Sequence, residues 1–413
     1  NGKVLAIDFV WSGHRVLFDF VGKGDHQVVA YYDASRQMSV AYRESPRGTW
    51  RYQRLPSYLG WDSHNAVVAG IDEAGYIHVT GNMHADPLVY FRSTEPFDVR
   101  TLKQEATMAG GVEEKQVTYP HFLNGPDGKL YFKHRYGTSG NGVEIYKVFD
   151  TKTLQWRQLH ESAFVDGEDE RNGYFVGPKL ERDGRFHLAW VWRETPSANT
   201  NHDISYARSR DLLNWETSDG KPMKLPIRLK TAEIVDPIPI GGGLLNGHTA
   251  FGLDANDRPM VVYQKYGQDG YSEVFLSRKE SAGWRSRQIS DFNDYRADLD
   301  RTGALALELD TNIAPFVDAN NNIIVRARLR GENVEFVVDH ETLDVVEQRG
   351  FERYPESVLA DDLDNDMPLL VVPLKVNGKA SQEWFIAWEA RRKNRDRARE
   401  TIGATLGWRG IWA

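Results

Sequence analysis

The chain has no cysteine among its 413 residues, so it can form neither a disulfide nor a thiolate-ligated metal site. It also lacks any apolar run near the ~18 residues that a membrane-spanning helix needs. Its first residues, Asn1-Gly2-Lys3-Val4, have neither the charged nor the apolar region of a signal peptide. A start at Asn rather than Met points to a processed chain, and the expectation drawn from it is a secreted or periplasmic protein whose signal peptide has been removed. Basic charge is not in excess: the net charge is -8, with both signs mixed along the chain. Such a balance gives no reason to expect nucleic acid or an anionic membrane as partner. Helical character is scarce as well. Only 389–400, with its charge run from Arg391 to Glu400, reads as helical, and a solvated surface segment is its default reading.

Aromatic and turn-forming residues are plentiful instead, with 12 Trp, 18 Tyr, 36 Gly and 17 Pro. That mix favours many strands broken by tight turns. A unit recurs about seven times: an apolar strand, a turn rich in Asp, Asn and Gly, a second apolar strand, then a third strand and often a Trp. Copies run through His26 to Trp50, His64 to Arg92, Tyr119 to Trp156, Tyr174 to Trp215, His248 to Ile289 and Asn312 to Val346. A shorter seventh, Leu369 to Trp388, would be completed by an N-terminal strand such as Val16 to Phe20. Repeats of roughly 40–60 residues, each a three- or four-stranded meander, are the pattern of a β-propeller. The expectation is an all-β, seven-bladed propeller forming a single domain over residues 1–413, closed by N- and C-terminal strands, with six or eight blades as alternative counts.

The stretch His64 to His84 reads as a hairpin around the turn Asp72-Glu73-Ala74-Gly75, with an imidazole at each open end. Aligning the repeats on their first turn puts His64, Tyr119, Tyr174, His248 and Asn312 at the head of the first strand of successive blades, around one mouth. The second strands return to that mouth with His84, and with His134 and Arg135. No pair of carboxylates stands out at these rim positions, as a glycosidase would require. What remains is an anion clamp beside acid/base groups. An arginine holds a carboxylate in bidentate geometry and makes the adjacent C–H more acidic, and a nearby His or Tyr can then take the proton. These are the parts of a β-elimination on a uronic acid. His78 and His187 fall inside strands and read as structural, whereas Trp11 and Trp61 suit either a sugar face or blade packing.

Four short motifs carry a resemblance: Trp61-Asp62-Ser63-His64-Asn65, Gly81-Asn82-Met83-His84, Thr118-Tyr119-Pro120, and Arg135-Tyr136-Gly137 leading into Ser139-Gly140-Asn141-Gly142. In them the chain resembles the propeller polysaccharide lyases with bacterial-neuraminidase-type repeats, the ulvan lyase and L-rhamnose-α-1,4-D-glucuronate lyase group. The resemblance implies that His64 and His84 lie at the catalytic centre, that Tyr119 is a base or acid, and that Arg135 neutralises the carboxylate. Asn65, His134, Tyr174, Arg193 and His248 are then candidates for sugar binding. Some relatives hold a structural metal partly through Cys, so that site is not expected here. No cofactor is needed for the step, and a structural calcium held by oxygen ligands is compatible with the composition. The implied partner is an acidic rhamnose- and glucuronate-containing polysaccharide or oligosaccharide, met by a monomer. The readings set against the lyase are an α-L-rhamnosidase acting on rhamnose-capped glucuronate and a non-catalytic glycan-binding propeller.

Overall fold

The computed structural model describes residues 6–138, 141–300, 305, 307–352, 369–376, 379–392, 396–399 and 409–412. Among them the regular structure is β-strand with four short 3-10 turns. The strands form six sheets, nearly all of antiparallel neighbours in chain order, as expected where short Asp- and Gly-bearing turns join strands of period-2 character. The chain divides into two compact units. The first comprises Asn1–Thr138, Glu144–Glu161 and Tyr354–Ala413, and the second Ser139–Val143 and Ser162–Arg353.

In the first unit an eight-stranded sheet joins two meanders. One is Ala6–Val10, Arg409–Trp412, Lys379–Glu389 and Leu369–Val376, and the other is Asp19–Lys23, His26–Tyr32, Gln37–Arg43 and Arg51–Tyr58. They meet through a short parallel pairing, Val21 with Lys375 and Gly22 with Val376. The N-terminal strand that completes the last meander is therefore Ala6–Val10, paired with Arg409–Trp412, and not Val16 to Phe20. Within the second meander the inner strands are buried along nearly their whole length. The outer strand Arg51–Tyr58 instead alternates, with Leu55 and Ser57 inward and charged or aromatic residues outward, the polarity that protects a sheet edge. The core between sheets includes Val28, Tyr32, Val40, Val67, Val79 and Trp388, with Phe18 stacked on Trp388 at 4.4 Å.

The hairpin foreseen around Asp72 is present as Val67–Ile71 paired with Ile77–Gly81. Its open end depends on Gly81, where a Cβ would stand 2.5 Å from the Ala66 carbonyl oxygen. His78 is fully buried, with Nδ1 against the Tyr90 hydroxyl at 2.7 Å and Nε2 3.4 Å from Asp72. The second unit repeats the device: His187 meets the Tyr206 hydroxyl at 2.6 Å and Asp183 at 3.0 Å. Both strand histidines are thus parts of the scaffold, each fixing a turn aspartate to a neighbouring strand.

The second unit contains three sheets, built on Asn172–Leu180, Phe186–Arg193 and Asn201–Ser209, on Thr249–Leu253, Pro259–Tyr266, Ser272–Glu280 and Gly283–Gln288, and on Ile323–Leu329, Glu332–Val338 and Val345–Gly350. The segment 389–400 is not the expected helix. Glu389 ends a strand, and Asp396 sits in a turn at φ 59°, while 393–395 and 400 lie outside the described residues. Its polar side chains serve distant loops rather than a helical turn: Asp396 accepts from Ser63, and Arg399 Nε donates to the Gly13 carbonyl at 3.2 Å.

Candidate active site

The hairpin places His64 and His84 with ring centres 4.2 Å apart. Between them stands Asp62, a member of the Trp61–Asn65 motif and an addition to the residues that the resemblance places at the catalytic centre. His64 Nδ1 lies 2.7 Å from Asp62 Oδ1, and His84 Nδ1 lies 2.6 Å from Asp62 Oδ2. The His64 backbone N–H also donates to Oδ1 at 2.8 Å, an Asx turn that fixes the carboxylate beside its own loop. Burial works to raise the Asp62 pKa, but the hydrogen bonds from His64 and His84 outweigh it and hold the carboxyl far below the usual carboxylate range. An ionised carboxylate only accepts, so both Nδ1 atoms carry their protons. The two Nε2 atoms are left as the basic nitrogens.

Asp396 closes this loop from the far end of the chain. It accepts from Ser63 N at 2.8 Å and Ser63 Oγ at 2.9 Å, and its second oxygen is 3.9 Å from His64 Nδ1. No spacing in the sequence could have announced it. It lies in the charge run from Arg391 to Glu400, whose default reading is solvated surface.

His84 has left its own hairpin. It begins the short strand His84–Asp86, which pairs with Val117–Asn124 in the next sheet. Thr118 is the hub of that pairing, opposite His84 on one side and Arg135 on the other. Its buried hydroxyl accepts from Ala85 N at 2.8 Å and from Arg135 Nη2 at 3.2 Å. Immediately after Thr118 the register slips, and Tyr119 takes a left-handed conformation at φ 54°. That conformation costs a residue with a Cβ ~1–2 kcal/mol. The slip re-aims the ring: Tyr119 is 43% exposed, 6.2 Å from His64 centre to centre, with the Arg135 guanidinium 5.0 Å from its own centre. Arg135 itself is only 5% exposed. Among the described residues it has no carboxylate partner, and its Nε is buried without an acceptor. A buried, uncompensated guanidinium is costly, so the arrangement suits an anion arriving from outside.

The remaining candidates divide. Asn65 is 8% exposed and donates to Asn82 Oδ1 at 3.1 Å, bracing the hairpin behind the imidazoles rather than facing outward. His134, one residue from Arg135, points to the other face of its strand. It is fully buried, with Nε2 3.1 Å from the Glu113 carbonyl and a pKa pushed down to about 3 by burial, so it lies apart from the cluster. In the second unit, Arg193 lies 5.3 Å over the Tyr174 ring, the same cation-on-tyrosine pairing as Arg135 and Tyr119. Arg193 is anchored by the carbonyls of Thr195 and Ser197. His248 is near Asp310 at 3.5 Å, and burial lowers its pKa.

Among the described residues, two groups could hold a cation. Asp62, His64 and His84 offer one atom each within 4.8 Å, as do Asp269, Glu273 and Asp291 in the second unit. In the first, the carboxylate is already occupied by two imidazole protons. In the second, Glu273 is a buried loop cap that accepts from Ser290, Phe292 and Asn293.

An all-β array of short meanders bearing a carboxylate-bridged imidazole pair beside Tyr and Arg is an arrangement suited to acid/base chemistry on an anionic ligand. The chain belongs to the BNR repeat-containing family, whose model matches residues 26–292. It is 27% identical over 137 residues to the short isoform of ulvan lyase from Alteromonas sp. (strain LOR), covering 29% of this chain and 25% of that protein. To the long isoform it is 23% identical over 134 residues, covering 29% and 13%. The alignments thus span a quarter or less of the curated relatives' length. Among solved structures, the polysaccharide lyase Uly1 superposes with TM-score 0.62 at 14% identity, over 97% of this chain and 89% of that one. A PL25 ulvan lyase bound to -[GlcA(1-4)Rha3S]- gives 0.61 at 13% identity, over 94% and 93%. The chain therefore shares the propeller fold of the ulvan lyases.

Proposed function

We propose that this chain is a seven-bladed propeller polysaccharide lyase that cleaves rhamnosyl-α-1,4-glucuronate linkages by β-elimination. The observation that carries the reading is Arg135, a buried cation without a carboxylate partner among the described residues, set against Tyr119 beside the Asp62-bridged histidines. In the reaction Arg135 pairs with the uronate carboxylate and acidifies the C5 hydrogen. His84 or Tyr119 removes that proton, the C4–O bond breaks as the C4=C5 double bond forms, and the departing oxygen takes a proton from the same rim. The C5 hydrogen and C4 oxygen of D-glucuronate lie on one face, so one side chain can take the proton and return it. Asp62 keeps each Nδ1 protonated and each Nε2 ready to exchange a proton, with His64 orienting or donating.

Kinship to ulvan lyases supports an acidic rhamnose- and glucuronate-containing polymer as substrate. Tyr174, Arg193 and His248 are proposed to contact sugars of the substrate as well. A polymer of that size is met outside the cytoplasm, so a secreted or periplasmic monomer is part of the same proposal. The elimination uses no metal or cofactor, and a structural calcium elsewhere is compatible with it.

A rhamnose-releasing hydrolase is the second reading. In its favour Asp396 brings a second carboxylate near His64. Incubating the protein with ulvan and with rhamnose-capped arabinogalactan side chains separates the two. The lyase yields the ultraviolet-absorbing 4,5-unsaturated uronate, and the hydrolase yields free rhamnose and saturated glucuronate. Arg135→Ala should abolish the unsaturated product in a folded protein, and normal turnover in that variant would sink the mechanism. If neither polymer is turned over but both bind, the non-catalytic glycan-binding reading takes its place.

A further inference from the structure

A second cation without a partner lies beside the site. Arg36 occupies the turn between His26–Tyr32 and Gln37–Arg43, at φ 68°. Asp33 Oδ1 caps this turn by accepting from Ser35 N and Gln37 N, both at 2.9 Å. Asp254 and Asp318 cap turns of the same kind, which carry Asp257 and Asn321 at the left-handed position. Asp and Asn tolerate that conformation readily, and a long cationic side chain has no such preference for it.

The Arg36 guanidinium is held on a cradle of indoles, 4.6 Å from the centre of Trp11 and 4.8 Å from that of Trp61. The two rings meet edge-on at 5.4 Å, and His14 packs against both while accepting from Trp11 Nε1 at 3.0 Å. Among the described residues the guanidinium has no hydrogen bond or ion pair, and burial alone bears on its pKa, lowering it. Arg54 shows the contrast within the same sheet, since it is spent on Asp8 and Asp33. The cradle adjoins the imidazole pair: Leu59 N donates to the Arg36 carbonyl at 2.9 Å, and the chain then runs through Gly60 and Trp61 into Asp62.

We propose that Arg36 on its Trp11–Trp61 cradle is a second anion subsite, which takes the carboxylate or sulfate ester of a sugar neighbouring the one that Arg135 holds. This rests on the reading of the site as one for acidic polysaccharide. Held over two indoles, a guanidinium loses part of its freedom to move, and its planar donors suit the two-oxygen edge common to carboxylate and sulfate. Two such cations on one binding face select a polymer with acids on neighbouring residues over a singly charged sugar.

The test compares wild type with Arg36→Met and Arg36→Gln, with thermal melts to establish folding. Kinetics are measured on ulvan, on desulfated ulvan and on the shortest cleavable oligosaccharide with a single acid. In both variants KM for ulvan should rise about tenfold, the scale of one charge-assisted contact, with the loss concentrated in KM. Persistence of the effect on desulfated ulvan assigns the subsite to carboxylate, and its disappearance assigns it to sulfate. A KM within twofold of wild type on every substrate overturns the proposal. If wild type produces no unsaturated uronate at all, the lyase reading has failed, and equilibrium binding of the same polymers at low salt decides the subsite. Weaker binding by both variants upholds it, and equal binding, or none by wild type, overturns it.

Discussion

Asp62 joins two imidazoles through one carboxylate, with His64 Nδ1 at 2.7 Å on one oxygen and His84 Nδ1 at 2.6 Å on the other. The proton positions on both rings follow from that one ionised group. Replacing it with Asn leaves the shape but gives one ring an N–H donor where it had an acceptor, which flips that ring's tautomer. Asp62→Asn should lower kcat by about 10²- to 10⁴-fold, the range expected when an acid/base group holds its proton on the wrong nitrogen. Stopped-assay product analysis checks it, and activity within a few-fold of wild type would remove Asp62 from the mechanism.

Thr118 holds Arg135 and the strand carrying His84 through one hydroxyl. Thr118→Val keeps the volume and removes both bonds. It should lower kcat/KM on ulvan roughly tenfold and cost about 1–2 kcal/mol in urea denaturation, because a buried N–H loses its acceptor. Thr118→Ser, which keeps the oxygen, should restore most of the activity. Equal loss in the two variants would mean that packing rather than the hydroxyl matters.

A divalent cation seated on Asp62, His64 and His84 must displace the two Nδ1 protons from the carboxylate or take the Nε2 nitrogens from the reaction. Zinc should therefore inhibit turnover, with inhibition relieved by a chelator. Treatment of the protein with chelator in the presence of excess calcium should leave the initial rate unaltered. Activation by zinc, or a loss of rate on chelation that zinc but not calcium restores, would overturn the metal-independent step.

His134 is held neutral inside the fold, with its pKa depressed from 6.5 to about 3 by burial. An unfolded chain takes up that proton first. The stabilisation is thus complete above pH ~6.5 and is lost as pH falls toward ~3, by about 1.4 kcal/mol per pH unit for one such group. His134→Gln keeps a donor for the Glu113 carbonyl and abolishes the titration, so its urea midpoint should fall less steeply with acid than that of wild type. Parallel curves would count against the buried neutral imidazole. The KM for ulvan should not follow this substitution.

The meanders, the Asp-capped turns and the hairpin joining His64 to His84 were legible because each depends on a short stretch of alternating residues and one turn. Tyr119 and Arg135 were legible for the same reason, lying on paired strands joined by a short turn. His134 was misplaced because strand alternation separates it from Arg135, and the sequence alone did not decide which neighbour faced the mouth. Asp62 is two residues before His64 and carries a local signal, an aspartate placed to cap the next turn, but its bridge to His84 exists only after the hairpin closes. Asp396 had no local signal, since its role comes from a segment that docks on Ser12, Gly13 and Ser63, far away in the chain. Arg36 was equally silent, because an unpaired cation is recognised only once its surroundings are known.

The bond between Asp396 and Ser63 links residues 333 positions apart, and the strand Ala6–Val10 pairs with Arg409–Trp412. A chain still leaving the ribosome therefore carries both imidazoles early but lacks the clasp that secures the loop holding His64. For the proposed lyase, the loop that carries His64 therefore reaches its final form only once the segment around Asp396 has docked, which places readiness for the reaction late in folding.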